Sequence, residues 1–255
     1  MKTVILCGGK GTRIRDVSSD VPKPMVDIDG LPIVHHIMNY YARFGLSDFV
    51  LCLGYKGEVI HDYFSRLATT ATDKRLSLGV NEAVSRPTSQ TEWNIALIDT
   101  GLDTMTGGRI RRISSHVSDE TFTLTYGDGL SNIDLRKLIA HHQTCGKALT
   151  ISGVRPPSRF GELTISGDTV IGFDEKPQAA SGLISGGYFV CEPRIVDYLS
   201  DDDSLVFERE PIKSMVRDGQ VAVYRHEDFW QCMDTYRDWE YLNDIARRGQ
   251  APWLS

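Results

Sequence analysis

Apolar positions along the chain fall in short β-branched runs separated by stretches with helical spacing. Thr3-Val4-Ile5-Leu6-Cys7 is apolar at nearly every position, as in a strand buried on both faces. In residues 33–44, Ile33, Ile37, Tyr40, Tyr41 and Phe44 share one helical face, and Gly45 supplies the stop. The alternation continues with a strand at 49–53, a helix at 58–67, a strand at 94–98 and a helix at 108–117. A strand at 122–126 runs into Gly127-Asp128-Gly129, followed by a helix at 134–144 and a strand at 148–154. Strands alternating with helices predict an α/β, doubly wound, mostly parallel sheet.

The pattern then changes. Residues 163–173 read as a β-hairpin turning at Ser166-Gly167-Asp168. A strand at 187–191, a helix from Pro193 to residue 199, a helix at 207–217 and a strand at 221–224 follow. The last element is a helix at 235–248, stopped by Gly249. With no linker, repeat or low-complexity run, residues 1–255 read as a single domain. The like-charge run Asp201-Asp202-Asp203 reads as a solvated turn.

Composition narrows the class. The chain has 255 residues, 41% hydrophobic and 24% charged, enough to build a sizeable core. Its 34 acidic and 28 basic residues give a net charge of −6. That argues against a nucleic-acid partner and requires a phosphate ligand to be met by local cations or a metal. Apolar runs such as 49–53 are too short to cross a bilayer, and the opening apolar run meets Gly8-Gly9 too early for a signal peptide. Five cysteines without a CxxC spacing read as the reduced thiols of a cytoplasmic protein.

Two segments carry recognisable chemistry. Gly8-Gly9-Lys10-Gly11-Thr12-Arg13 follows the first strand; its glycines let backbone N–H groups approach a polyphosphate, and Arg13 adds a planar fork of donors. It is neither the dinucleotide fingerprint, which needs glycine where Ile14 stands, nor a Walker A loop. In Pro22-Lys23-Pro24-Met25 two prolines stiffen the backbone around one lysine, which reads as an extended segment. On its own Lys23 is either an exposed loop residue or a placed cation. Adjacent helical residues point apart, so His35-His36 and His141-His142 are not metal pairs.

Together, GGxGTR and PKPM make the chain resemble the sugar-1-phosphate nucleotidyltransferase family. The resemblance extends to Tyr126-Gly127-Asp128-Gly129, Phe173-Asp174-Glu175-Lys176-Pro177, Gly186-Gly187-Tyr188-Phe189-Val190 and Phe229-Trp230-Gln231-Cys232-Met233-Asp234-Thr235. The stretches 93–101, 105–110 and 156–161 resemble the cytidylyltransferase branch. The resemblance implies a Rossmann-like nucleotidyltransferase fold with the hairpin added to the sugar-binding half. About 1–118 would be the nucleotide-binding half and about 119–255 the metal- and sugar-binding half. It also implies that CTP and a sugar 1-phosphate, glucose 1-phosphate in that branch, are the substrates, with Mg²⁺ held by Asp128 and Asp234 and a homo-oligomeric enzyme free of membrane and nucleic acid.

By the same resemblance, Arg13 holds the β- and γ-phosphates and Lys23 the α-phosphate, as the catalytic cations. Leu6, Gly8, Gly9, Gly11, Thr12, Gly127 and Asp128 complete the nucleotide site; of Arg109, Arg111 and Arg112, which read as a solvated helix face or as contacts to the triphosphate or a neighbouring subunit, Arg109 beside Gly107-Gly108 is the candidate for it. Gly161, Glu175, Lys176, Ser185 and Gly186 form the sugar-phosphate site, Lys176 on the phosphate and Glu175 on the hydroxyls. Two positions depart from the family pattern. Ser185 replaces an asparagine expected to touch the sugar, and Cys232 replaces a proline. The remaining readings are the same chemistry with another base or sugar, or an inactive relative. A DxD glycosyltransferase is not favoured, because Tyr126-Gly127-Asp128-Gly129 lacks the second acid.

Overall fold

Strand β1 (Lys2–Leu6) is the axis of the fold in the computed structural model. The structure describes residues 1–11, 20–69, 76–77, 82–88, 91–156, 162–166, 169–174 and 182–254. β1 pairs in parallel with β4 (Asp48–Leu53) on one side and β8 (Phe122–Tyr126) on the other. Further out lie β7 (Thr91–Asp99), β6 (Glu82–Thr88) and β5 (Leu76–Ser77) on the β4 side. Beyond β8 come β13 (Ile184–Cys191), β10 (Leu149–Val154) and β14 (Val221–His226). Among the described residues this makes a nine-stranded sheet in which only β13 and β6 run against the rest.

Side-chain alternation along β1 builds the two halves of the core. Val4 and Leu6 face one side, Ile5 and Cys7 the other, and all four are buried. Ile5 and Cys7 pack under α1 (Ile33–Arg43), α2 (Gly57–Thr69), α4 (Leu135–Cys145) and α6 (Tyr236–Arg247). Val4 and Leu6 pack under α3 (Thr106–Arg112) and α5 (Glu210–Arg217). A sheet covered on both faces explains why β1 reads as a continuous apolar run. The hairpin is present as β11 (Glu162–Ser166) and β12 (Thr169–Asp174), paired antiparallel.

Three helix expectations change. The helix expected over 108–117 ends at Arg112 and resumes as a 3₁₀ turn at Ser114–His116, where consecutive serines favour turn geometry. The segment after Glu192 is a 3₁₀ helix, Pro193–Tyr198. The helix expected from residue 207 begins at Glu210, with Pro211 in its first turn, because Arg209 before it has a non-helical backbone, φ −97° and ψ −114°. Two antiparallel ribbons carry no signal of their own: β2 (Asp27–Ile28) with β3 (Leu31–Pro32), and β9 (Gly129–Ser131) with β15 (Trp230–Cys232).

The C-terminal segment closes the face that covers Ile5. Trp253 is buried, stacks on Phe229 and donates its indole N–H to His36 Nδ1 at 3.3 Å. His36 in turn contacts the Ile28 carbonyl at 2.8 Å, so both adjacent histidines of α1 serve packing: His35 meets the Tyr63 hydroxyl at 2.7 Å. Trp253→Ala should therefore cost about 3–5 kcal/mol in a urea melt, as large-to-small core truncations do. A loss below about 1 kcal/mol, in the range of surface substitutions, would show that the tail is not part of the core.

Candidate active site

The parallel strands β1, β4, β7 and β8 all end at the same edge of the sheet, and β1 lies between partners that wind away in opposite directions. Such a switch point leaves a crevice beyond the strand ends. Here it is a cavity of about 520 Å³, lined by Gly8–Gly11, Lys23, the 102–106 loop, Arg109 and Tyr126–Asp128, with Asp234 reaching in from the other end of the chain. Leu6 lies on the same wall. A second cavity of about 250 Å³ is lined by Ser185–Tyr188, Trp230 and Cys232. The two share Tyr126, Asp128 and Asp234.

Arg109 fixes the first cavity from behind. It is 4% exposed, and its guanidinium donates to the carbonyls of Leu53 at 2.8 Å, Gly101 at 2.8 Å and Gly8 at 3.0 Å, and to Thr100 Oγ1 at 2.7 Å. A Cβ on Gly8 would fall 2.1 Å from its Cζ, so glycine here admits the arginine, whatever it offers a phosphate. Arg109 thus spends its described donors on three strand-end loops, while still lining the cavity. Burial pulls its pKa down.

Lys23 is not in an extended segment. It opens a 3₁₀ turn, Lys23–Met25, in which the Pro22 and Lys23 carbonyls accept from Met25 N and Val26 N at 2.8 and 3.1 Å. Proline at the second position supplies a helical φ without needing a donor. Gly127 lets this turn approach β8, since a Cβ there would lie 2.9 Å from Pro24 Cγ. The result places Lys23 Nζ 2.5 Å from Asp128 Oδ2 and 2.6 Å from Asp234 Oδ1. Burial alone would lower the lysine pKa, but the Asp128 and Asp234 carboxylates outweigh it, so Lys23 stays charged.

The β9–β15 ribbon brings the two aspartates together. Gly129 pairs with Cys232, and Met233 N donates to Asp128 O at 2.9 Å. Asp234 is then held by a capping box at the start of α6: Asp238 Oδ2 accepts from Asp234 N at 3.1 Å and Thr235 N at 2.8 Å, while Thr235 Oγ1 accepts from Asp238 N. Ligand atoms of Asp128, Cys232 and Asp234 lie within 4.8 Å of one another. Two carboxylates already closed around a cation are a donor set that fits Mg²⁺, which takes one or two carboxylates and fills its shell with phosphate oxygens and water.

Ser185 is exposed at the second cavity and accepts from Gly187 N at 3.4 Å; Gly186 beside it is buried. Thr12, Arg13, Gly161, Glu175 and Lys176 lie outside the described residues. Three positioning groups escape a reading of the sequence. Glu208 accepts from the Tyr126 hydroxyl and from Thr106 Oγ1, tying the wall between the cavities to α3. Thr106 also holds the Phe207 amide. The third, Asp238, has a legible signal in the Thr235-x-x-Asp238 spacing of a capping box, whereas Glu208 has none.

Removing the Lys23 cation leaves two half-buried carboxylates facing each other. Lys23→Met should destabilise the metal-free protein by about 1–3 kcal/mol, between the values for exposed and buried pairs. Added Mg²⁺ should restore part of this by binding the folded state. Urea melts in chelator and in Mg²⁺ check it, and equal stability of variant and parent in chelator would show that the pair contributes nothing to the fold.

The fold and the crevice agree with what the chain is similar to. The nucleotidyl transferase family model matches residues 2–244. A Bacillus subtilis protein named "Probable glucose-1-phosphate cytidylyltransferase" is 45% identical over 253 residues, 99% of each chain. The glucose-1-phosphate cytidylyltransferase of Salmonella typhi is 41% identical over 254 residues, 99% of this chain and 98% of that one. Among solved structures, HddC from Yersinia pseudotuberculosis superposes with a TM-score of 0.70 at 25% identity, covering 96% of this chain and 99% of that one. With a family match spanning nearly its whole length and a crevice built at the strand ends, this chain belongs to the nucleotidyl transferase family.

Proposed function

We propose that the protein transfers the cytidylyl group of CTP to α-D-glucose 1-phosphate, releasing pyrophosphate and giving CDP-glucose for deoxysugar and surface-polysaccharide synthesis. The chemistry is carried by one observation: two cavities meet at a Lys23–Asp128–Asp234 cluster, so two phosphate-bearing ligands can be brought end to end across it. The choice of base and sugar is supported by the 45% and 41% identical relatives.

In this reading CTP occupies the larger cavity, its triphosphate over Gly8, Gly9 and Gly11, with Arg13 on the β- and γ-phosphates. Glucose 1-phosphate occupies the smaller one, with Lys176 on its phosphate, Glu175 on its hydroxyls and the main chain of Gly161 alongside. A phosphate oxygen of the sugar attacks the α-phosphorus of CTP, the bond from that phosphorus to the bridging oxygen breaks, and pyrophosphate leaves in line. The nucleophile is already ionised at neutral pH, so no general base is required, and the protein's work is positioning and charge neutralisation. Magnesium held by Asp128 and Asp234 would supply Lewis-acid neutralisation of the phosphate oxygens. Lys23, released from the carboxylates, meets the α-phosphate as its charge grows.

The protein works in the cytoplasm as a homo-oligomer. The free state of all five cysteines supports the compartment, and no helix among the described residues is long and apolar enough to cross a membrane.

Pyrophosphate release measured across a matrix of nucleoside triphosphates and hexose 1-phosphates tests the assignment. CTP with glucose 1-phosphate should be the preferred pair, and Asp128→Asn or Asp234→Asn should lower its turnover by on the order of 10²-fold while the fold persists. Faster release from another nucleotide would overturn the base, and unimpaired turnover in either variant would overturn that residue as a metal ligand.

Ser185 sets a separate expectation. A hydroxyl reaches less far than an amide, so the site rejects hexose epimers weakly. Ser185→Asn should sharpen the kcat/KM preference for glucose 1-phosphate over the galactose and mannose esters by roughly 1–2 kcal/mol. Unchanged ratios would place residue 185 outside the sugar site.

A further inference from the structure

The side chain between the two aspartates that the magnesium reading does not use is Cys232. It is half-buried, ends β15 opposite Gly129, and lines the smaller cavity together with Asp128 and Asp234. Among the described residues, Asp128, Cys232 and Asp234 are the only group of three potential metal ligands whose atoms lie this close, within 4.8 Å. The geometry is local. Cys232 and Asp234 are two apart in the segment leaving β15, and Asp128 directly precedes the Gly129 that pairs with Cys232. The other thiols are differently placed: Cys7, Cys52 and Cys191 are buried in the sheet, and Cys145 lies on α4 beside His141, 3.4 Å from its Nε2.

Two carboxylates alone make a hard site, suited to Mg²⁺ and water. A thiolate adds a soft donor, and soft donors select zinc and its heavier congener cadmium over magnesium.

We propose that Cys232 makes this centre a mixed oxygen–sulfur site, in which a thiophilic divalent cation such as Zn²⁺ or Cd²⁺ is held by Asp128, Asp234 and the Cys232 sulfur, and so blocks turnover. The inference rests on the reading of Asp128 and Asp234 as the metal pair. On binding, the S–H proton passes to solvent as the sulfur–metal bond forms. The Lys23 ammonium gives up its place between the carboxylates, still protonated. The fourth position is left to water or to a phosphate oxygen, as in an open zinc site.

Cadmium titration of the nucleotide-free protein, followed by the ultraviolet sulfur-to-cadmium charge-transfer band, tests this without turnover. Cys145→Ser serves as the parent, so that the other half-buried thiol contributes no band. The parent should take up one equivalent of Cd²⁺ with the band. Cys232→Ser and Cys232→Ala should lose it and bind Cd²⁺ roughly tenfold or more weakly, at least what loss of a mere supporting partner costs. Cd²⁺ should also inhibit the parent in Mg²⁺ more strongly than it inhibits Cys232→Ser. A band that survives in both variants, or never forms in the parent, overturns the inference. Parallel titration with Mn²⁺, read by its electron spin resonance signal with CTP present, separates the two failures. Manganese bound without a cadmium band removes only the sulfur ligand. Failure of both cations removes the metal reading of Asp128 and Asp234 as well.

Discussion

Two carboxylates held face to face in a half-buried crevice repel each other strongly, because the low effective dielectric there strengthens every charge interaction. Asp128 and Asp234 are in that position, and the Lys23 ammonium between them, at 2.5 and 2.6 Å, is what makes the arrangement tenable. Much of the surrounding structure serves this contact. The prolines of the Lys23 turn set its direction, the missing side chain of Gly127 admits the turn, and the β9–β15 ribbon with the Asp238 cap carries Asp234 to the same place. The electrostatic problem returns in the reaction, where two phosphate anions must approach.

The sheet explains where that cluster had to form. β1 is flanked by β4 and β8, whose chain paths diverge, so the crevice opens beyond Leu6, Leu53 and Tyr126. Arg109 spans the loops that follow β1, β4 and β7 behind the larger cavity, and Glu208 holds Tyr126 on the other side. Arg109 acts on backbone carbonyls and Glu208 on the Tyr126 and Thr106 hydroxyls. Both come from segments outside the sheet, so the walls of the cavities are braced from α3 and from the loop before α5 rather than by the strands alone.

Much of this could be read from local patterns. A strand covered on both faces must be apolar at nearly every position, and Thr3–Cys7 is; an amphipathic helix must repeat its apolar residues at helical spacing, and residues 33–44 do. Where local signals compete with tertiary demands the reading failed. Lys23 turns although a proline follows it, because carbonyls on either side of its own α-carbon capture later amides. Phe207 lies outside α5, its amide tied to Thr106, a residue distant in the chain. The three-residue strands β9 and β15 are too short to show a period at all, and they exist because each finds the other.

The sequence by itself determined the strand-and-helix order, the glycine loop, the lysine framed by prolines and the two aspartate motifs, since each depends on residues within a few positions of one another. Only the tertiary structure decided that Lys23 bridges Asp128 and Asp234, that Arg109 grips the loops from behind, and that Cys232 turns its sulfur toward the carboxylates. Those facts depend on distances between side chains far apart along the chain. Such distances are set when the sheet order, the ribbon register and the burial of both faces are satisfied together, and no local pattern encodes them.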